Sequence, residues 1–235
     1  MIITNQFILI ACGKAPGRIV GGGPVAKNSI PWQVGMVFWG YAGPSCGGTL
    51  ISPKHVLTAA HCYDGYINFD MVVGDHHKYD PDGETVHKVC RVAYHPKYDE
   101  ATAFDYDFAV VTLKEPVEFN SKVAPACLAD TSMTGEKLVG KKAVVSGWGR
   151  LDETGGSPNV LHKVEVPVIT NSQCDQDYSD YWYEITSSMI CAGEANGQID
   201  ACQGDSGGNK NISFTLQYTY ILFQIPSLKN NLTQY

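Results

Sequence analysis

The chain has 235 residues, a formal net charge of −7, 44% hydrophobic residues and 17% charged ones. That length is enough for one large all-β domain, or two small ones, with a buried core. The negative balance excludes a nucleic-acid surface, which needs cations against the phosphates, and no apolar run reaches the ~20 residues of a membrane helix.

Residues 1–18 are expected to hold a signal remnant. Phe7 to Ala11 is an apolar core shorter than a secretory signal needs, with no Lys or Arg before it, so a truncated start or a clipped signal is expected. Eight cysteines suggest an oxidising compartment, and spacing alone leaves their pairing open. Helical periodicity is scarce. Short apolar runs, roughly alternating and bounded by Gly, Pro, Asn or Asp, predict strands within Trp32 to Trp39, Val86 to Tyr94, Phe108 to Leu113, Lys142 to Ser146 and Val160 to Val168. The pattern predicts an antiparallel all-β sandwich or barrel.

The polar motifs lie between these runs. Thr58-Ala59-Ala60-His61-Cys62 follows the apolar pair Val56-Leu57. Asp75, Asp80, Asp82 and Glu84 then cluster in one loop. Their oxygens could hold Ca²⁺, but the spacing does not fit an EF-hand and a charged surface loop is the alternative. Asp107 opens the run Phe108 to Val111. Asp105 is its rival, on the same side if the chain is extended there. Asp200 to Gly208 places Ser206 in a glycine-rich turn, where backbone N–H groups can crowd a carbonyl; a plain polar turn is the other reading. His61, Asp107 and Ser206, in that order, are the residue types of an imidazole base, a carboxylate that orients it, and a hydroxyl nucleophile. The hydroxyl needs a base with a pKa near 7, and the imidazole needs its other nitrogen held.

The chain resembles the chymotrypsin/trypsin family of serine endopeptidases. The resemblance is carried by Arg18-Ile19-Val20-Gly21-Gly22, Pro31 to Val34, Cys46 to Ile51, Thr58 to Cys62, Asp107 to Leu113, Ser146-Gly147-Trp148-Gly149, Met189 to Gly193 and Asp200 to Gly208, and runs from about Cys12 to Gly208. It implies two six-stranded antiparallel Greek-key barrels with the active site between them. Residues 19–125 would form the first barrel, 126–208 an incomplete second one, and 209–235 a divergent tail. The crossover would lie in Lys122 to Lys137. His61 would be the general base, Asp107 its orienter and Ser206 the nucleophile, with Asp105 solvated. The amides of Gly204 and Ser206 would form the oxyanion hole. Cleavage between Arg18 and Ile19 would free an α-amino group that pairs with Asp205 and orders the site. Asp200 would sit at the floor of the specificity pocket and select Arg or Lys.

The same resemblance implies disulfides Cys46–Cys62, Cys174–Cys191 and Cys12–Cys127. Cys90 and Cys202 are left over, and Ala143 stands where many relatives carry another cysteine. No cofactor is required for this chemistry. The implied partners are protein or peptide substrates, an activating protease and protein inhibitors, with secretion as the location and neither nucleic acid nor membrane involved. After Gly208 the family's usual elements cannot be read. Asn211 and Asn231 fit the glycosylation pattern but lie in this tail, which is expected to be translated non-coding sequence or an alternative exon. The second functional reading is therefore an inactive protease-like binding protein or an incomplete gene product, since an unfinished barrel exposes strand edges.

Overall fold

A computed structural model describes residues 23–63, 68–128, 135–149, 156–179 and 184–193. Six strands close into an antiparallel barrel: β2 (Gln33–Phe38), β3 (Cys46–Ser52), β4 (His55–Thr58), β5 (Phe69–Val73), β6 (Thr85–Tyr94) and β7 (Ala109–Leu113). They form two three-stranded meanders. The barrel closes where β4 pairs with β7 and where β2 pairs with β5. Closure removes the unpaired edges that would otherwise recruit another chain.

Alternation drives this arrangement. Along β5, Phe69, Met71 and Val73 all point inward and are almost wholly buried, beside Val34 and Met36 of β2 and Leu50 of β3. Gly48 is required where β3 meets β4, because a Cβ there would stand 2.7 Å from a Val56 methyl. β4 and β7 are covered on both faces. Val56 and Val111 enter the barrel interior, while Leu57 and Val110 join Phe108 in a second cluster outside it. These two strands lead to His61 and Asp107, so the pair hangs from strands buried on both faces.

The second sheet is built on β9 (His162–Ile169). Its partners are β8 (Lys142–Gly147), β10 (Cys191–Ala192) and the two-residue β1 (Gly23–Pro24), all antiparallel. Residues 23–24 thus pair with the second sheet although they precede the first barrel. Val25, Ile30, Trp148 and Leu161 pack together where the two sheets meet, with Trp32 against them. Buried hydrogen bonds cross the same boundary: Ser146 Oγ donates to Gln33 Oε1 at 2.7 Å, and Trp148 Nε1 donates to the His76 carbonyl at 3.1 Å.

Two short helices complete the described residues, α1 (Gly135–Leu138) and α2 (Asn171–Asp177). Thr170 caps α2 by accepting the Gln173 N–H on its hydroxyl at 3.1 Å. Among the described residues no helix is long and apolar enough to cross a membrane.

Candidate active site

The ladder between β4 and β7 sets the first requirement of the site. Thr58 lies opposite Ala109. Continued past the strand ends, that antiparallel register brings the residues after Thr58 against those before Ala109, which are His61 and Asp107. Thr58 Oγ1 ties the end of β4 to the Gly47 carbonyl at 2.7 Å. His61 then sits in a single 3₁₀ turn, Ala60–Cys62, between two buried residues. Cys62 is bonded to Cys46 of β3, so both ends of that turn are fixed to the barrel.

Asp107 grips His61 twice. Its Oδ1 accepts the His61 backbone N–H at 2.9 Å, and its Oδ2 accepts from Nδ1 of the ring at 2.6 Å. A carboxylate only accepts, so the ring proton belongs on Nδ1 and the neutral imidazole keeps a lone pair on Nε2. Cys62 Sγ lies 3.7 Å from Nε2, but a disulfide sulfur has no proton to give and leaves that lone pair available. The same bond removes Cys46, His61 and Cys62 as a metal site, since neither sulfur is a free thiolate. Both side chains of the pair are 18% exposed. The Phe104 ring stands edge-on to the imidazole, with centroids 5.8 Å apart.

Asp105 corrects an expectation. It is 4% exposed rather than solvated, and its Oδ1 accepts from Thr186 Oγ1 at 2.7 Å and Ser188 Oγ at 2.5 Å. The rivalry with Asp107 assumed an extended chain. Instead Phe104 and Tyr106 have φ of 64° and 50°, and the strand begins only at Ala109. Two left-handed residues turn the two carboxylates apart, one toward His61 and the other toward the segment before β10. Sequence reasoning did not single out Thr186, Ser188 or Phe104. Hydroxyl residues two positions apart carry no signal of their own until a buried acceptor is placed beside them.

Two of the implied disulfides are present, Cys46–Cys62 and Cys174–Cys191. Cys127 is disulfide-bonded, while Cys12, its expected partner, lies outside the described residues. Cys90 is a free, exposed cysteine on β6. Ala143 is buried in β8 opposite Val166. Ser206, Gly204, Asp205, Asp200, Cys202, Arg18 and Ile19 also lie outside the described residues, as do Asn211 and Asn231.

The acidic loop divides in two. Asp80 accepts from the Asn159 amide at 2.7 Å and so ties the loop to the second sheet. Asp75, Asp82 and Glu84 converge, with one oxygen of each within 4.8 Å of the others. Burial, and then the charges of Glu84 and Asp82, push the Asp75 carboxyl up to about 7. Burial also works to raise Asp82, but hydrogen bonds from His77 and Lys27 outweigh it and leave that carboxyl lowered. His77 Nδ1 and Lys27 Nζ lie 2.7 and 3.3 Å from Asp82 Oδ2. Calcium takes 6–8 oxygen ligands. Three carboxylates, one of them already bonded to His77 and Lys27, supply only part of that number.

A family profile described as Trypsin matches residues 19–211. The chain belongs to the trypsin family of serine-type endopeptidases. It is 39% identical to serine protease filzig of Drosophila melanogaster over 84% of this chain and 12% of that protein. It is 37% identical to the clotting factor G beta subunit of Tachypleus tridentatus, over 84% of this chain and 67% of that one. It is 38% identical to the vitellin-degrading protease of Bombyx mori, over 81% and 70% respectively. The chain therefore spans only a small part of filzig and most of the other two.

Proposed function

We propose that this trypsin-family chain is a secreted endopeptidase, made as an inactive precursor and cleaving after Arg or Lys. The observation that carries the reading is the His61–Asp107 pair, with Nδ1 against the carboxylate and Nε2 facing away from it. Such a ring can take the proton of the Ser206 hydroxyl as that oxygen attacks a peptide carbonyl. The carbonyl oxygen then carries the negative charge, resting on the amides of Gly204 and Ser206. His61 returns the proton to the leaving amine. Water repeats the sequence on the acyl-enzyme, losing its proton to His61, and the Ser206 hydroxyl is regenerated. Asp107 stays ionised throughout and stabilises the imidazolium. No cofactor enters any step, and the acidic loop is read as a charged surface loop.

Asp200, six residues before Ser206, supports the preference for Arg and Lys through charge pairing. Asp205 and the Arg18–Ile19 bond support activation by a separate protease. The two described disulfides support an oxidising, extracellular setting. Protein substrates and protein inhibitors are the partners such a site would meet.

The test is to express the full chain, cut it after Arg18 with an activating protease, and measure hydrolysis of an arginine amide beside a phenylalanine amide. Turnover of the arginine substrate, abolished by Ser206→Ala, is expected. Equal background turnover in the cut chain and in Ser206→Ala would overturn the activity. Faster cleavage of the phenylalanine amide would overturn the specificity alone.

A further inference from the structure

We propose that Asp105 is a positioning residue of the catalytic pair, latched by the Thr186 and Ser188 hydroxyls so that the segment between Phe104 and Asp107 holds its shape against His61. The inference rests on the endopeptidase reading, and it assigns a task to a carboxylate that the reaction itself does not use.

The problem is mechanical. Asp107 must present both oxygens to His61, yet it sits before the start of β7, outside the barrel's ladder. The approach to it is strained. Asp99, Phe104 and Tyr106 all have positive φ, which side-chain-bearing residues seldom adopt unless their surroundings impose it. Something must hold that path open.

The hydrogen bonds show what does. Ser188 Oγ donates to the Asp105 carboxylate and accepts the Tyr106 backbone N–H at 3.0 Å, so one hydroxyl spans the two residues before Asp107. Thr186 Oγ1 donates to the same Asp105 oxygen and accepts the Ser188 N–H at 3.2 Å. On the other side, the Asp105 carbonyl accepts the Asp99 N–H at 2.9 Å, and the Asp99 carboxylate accepts the Phe104 N–H at 3.1 Å. Asp99 is thus held by the Asp105 carbonyl, Phe104 by the Asp99 carboxylate, and Tyr106 by the hydroxyl that donates to the Asp105 carboxylate. Phe104, fixed in this way, sets its ring edge against His61.

The latch has a firm anchor. Asn171, at the start of α2, donates its amide to the carbonyls of Thr186 and Met189 at 2.7 and 3.0 Å. Asp175 of α2 accepts the Ile185 N–H at 3.2 Å. The Cys174–Cys191 disulfide joins α2 to β10 just beyond. The turn that carries both hydroxyls therefore belongs to the second sheet, while the aspartate pair belongs to the barrel. A carboxylate suits this task because a buried charge is costly unless its donors stay in place, which makes the latch close to all-or-none.

The test needs a readout that survives even if turnover fails. In the full chain, the low-field NMR resonance of the Nδ1 proton reports the His61–Asp107 bond directly, and is assigned by its loss in His61→Ala. Asp105→Ala is expected to broaden or abolish that resonance while the chain still unfolds cooperatively. In the activated chain, kcat should fall ~10²-fold with KM nearly unchanged, the size expected when a catalytic group is displaced by about 1 Å. Asp105→Asn keeps an accepting oxygen for both hydroxyls and should recover most of the signal. An unaltered Nδ1 resonance in folded Asp105→Ala would overturn the proposal. If that variant does not fold, Ser188→Ala decides: it removes the bridge to Tyr106, and a resonance unchanged there overturns the proposal equally. Absence of turnover in the unsubstituted, activated chain would instead overturn the endopeptidase reading and leave the resonance to judge the latch.

Discussion

Replacing Asp75 by asparagine tests whether the acidic loop stores an electrostatic penalty. Asp75 is half-buried beside Glu84 and Asp82, and its carboxyl is pushed from an ordinary 3.8 up to about 7. The folded chain therefore holds a proton there that the unfolded chain has already released. Between about pH 4 and pH 7 the native state binds more protons, so stability falls as pH rises through that window, and the loss is complete above about 7. At 1.36 kcal/mol for each pKa unit, a fully effective gap of this size would cost ~4 kcal/mol. The group is little more than half-buried, and solvent screens the interaction, so the working figure is ~1–2 kcal/mol. Asp75→Asn carries no charge at any pH and escapes the penalty. Urea unfolding at pH 4.5, 6 and 8 should show the variant close to the parent at the lowest pH and more stable by ~1–2 kcal/mol at the highest. The difference between variant and parent at each pH reads the effect of removing the Asp75 charge. A difference that stays constant from pH 4.5 to 8, or one that reverses sign, would refute the reasoning.

Other outcomes follow from the site and the barrel. Asp107→Asn should lower kcat by ~10⁴-fold with the fold retained, a magnitude known for this family's triad aspartate rather than worked from these distances; steady-state kinetics on an arginine amide check it. Removing Cys46 and Cys62 together, as Cys46→Ser with Cys62→Ser, opens a loop of sequence separation 16 and should cost ~3 kcal/mol in urea unfolding. Leu50→Ala empties a fully buried position inside the barrel and should cost ~2–5 kcal/mol by the same measurement.

The sequence made part of this structure legible. Strands β2, β6, β7, β8 and β9 fall on short apolar runs bounded by Gly, Pro, Asn or Asp. β3 hides because Cys46-Gly47-Gly48-Thr49 carries little apolar signal before Leu50. Helix α2 shows no apolar stripe; among its residues only Cys174 is buried, so its polar sequence reads as a loop. The pairing of β1 with β9 joins residues far apart in the chain, and no local pattern announces it. His61 and Asp107 were legible because each opens or closes an apolar run with a short distinctive motif. Asp105, expected from the resemblance to be solvated, is buried because the left-handed backbone at Phe104 and Tyr106 turns it away from Asp107. Its donors, Thr186 and Ser188, are ordinary hydroxyl residues until the fold places a buried carboxylate against them. The disulfides could not be paired by spacing, and the family resemblance supplied what spacing lacked.

The central claim is that His61, held by Asp107, turns the Ser206 hydroxyl into a nucleophile. The most direct measurement treats the activated chain with a fluorophosphonate and maps the adduct by mass spectrometry. One adduct on Ser206 is expected, formed at background rate in His61→Ala and strongly slowed in Asp107→Asn. A cooperatively folded, activated chain that takes no label at Ser206, or takes it equally fast without His61, would contradict the account.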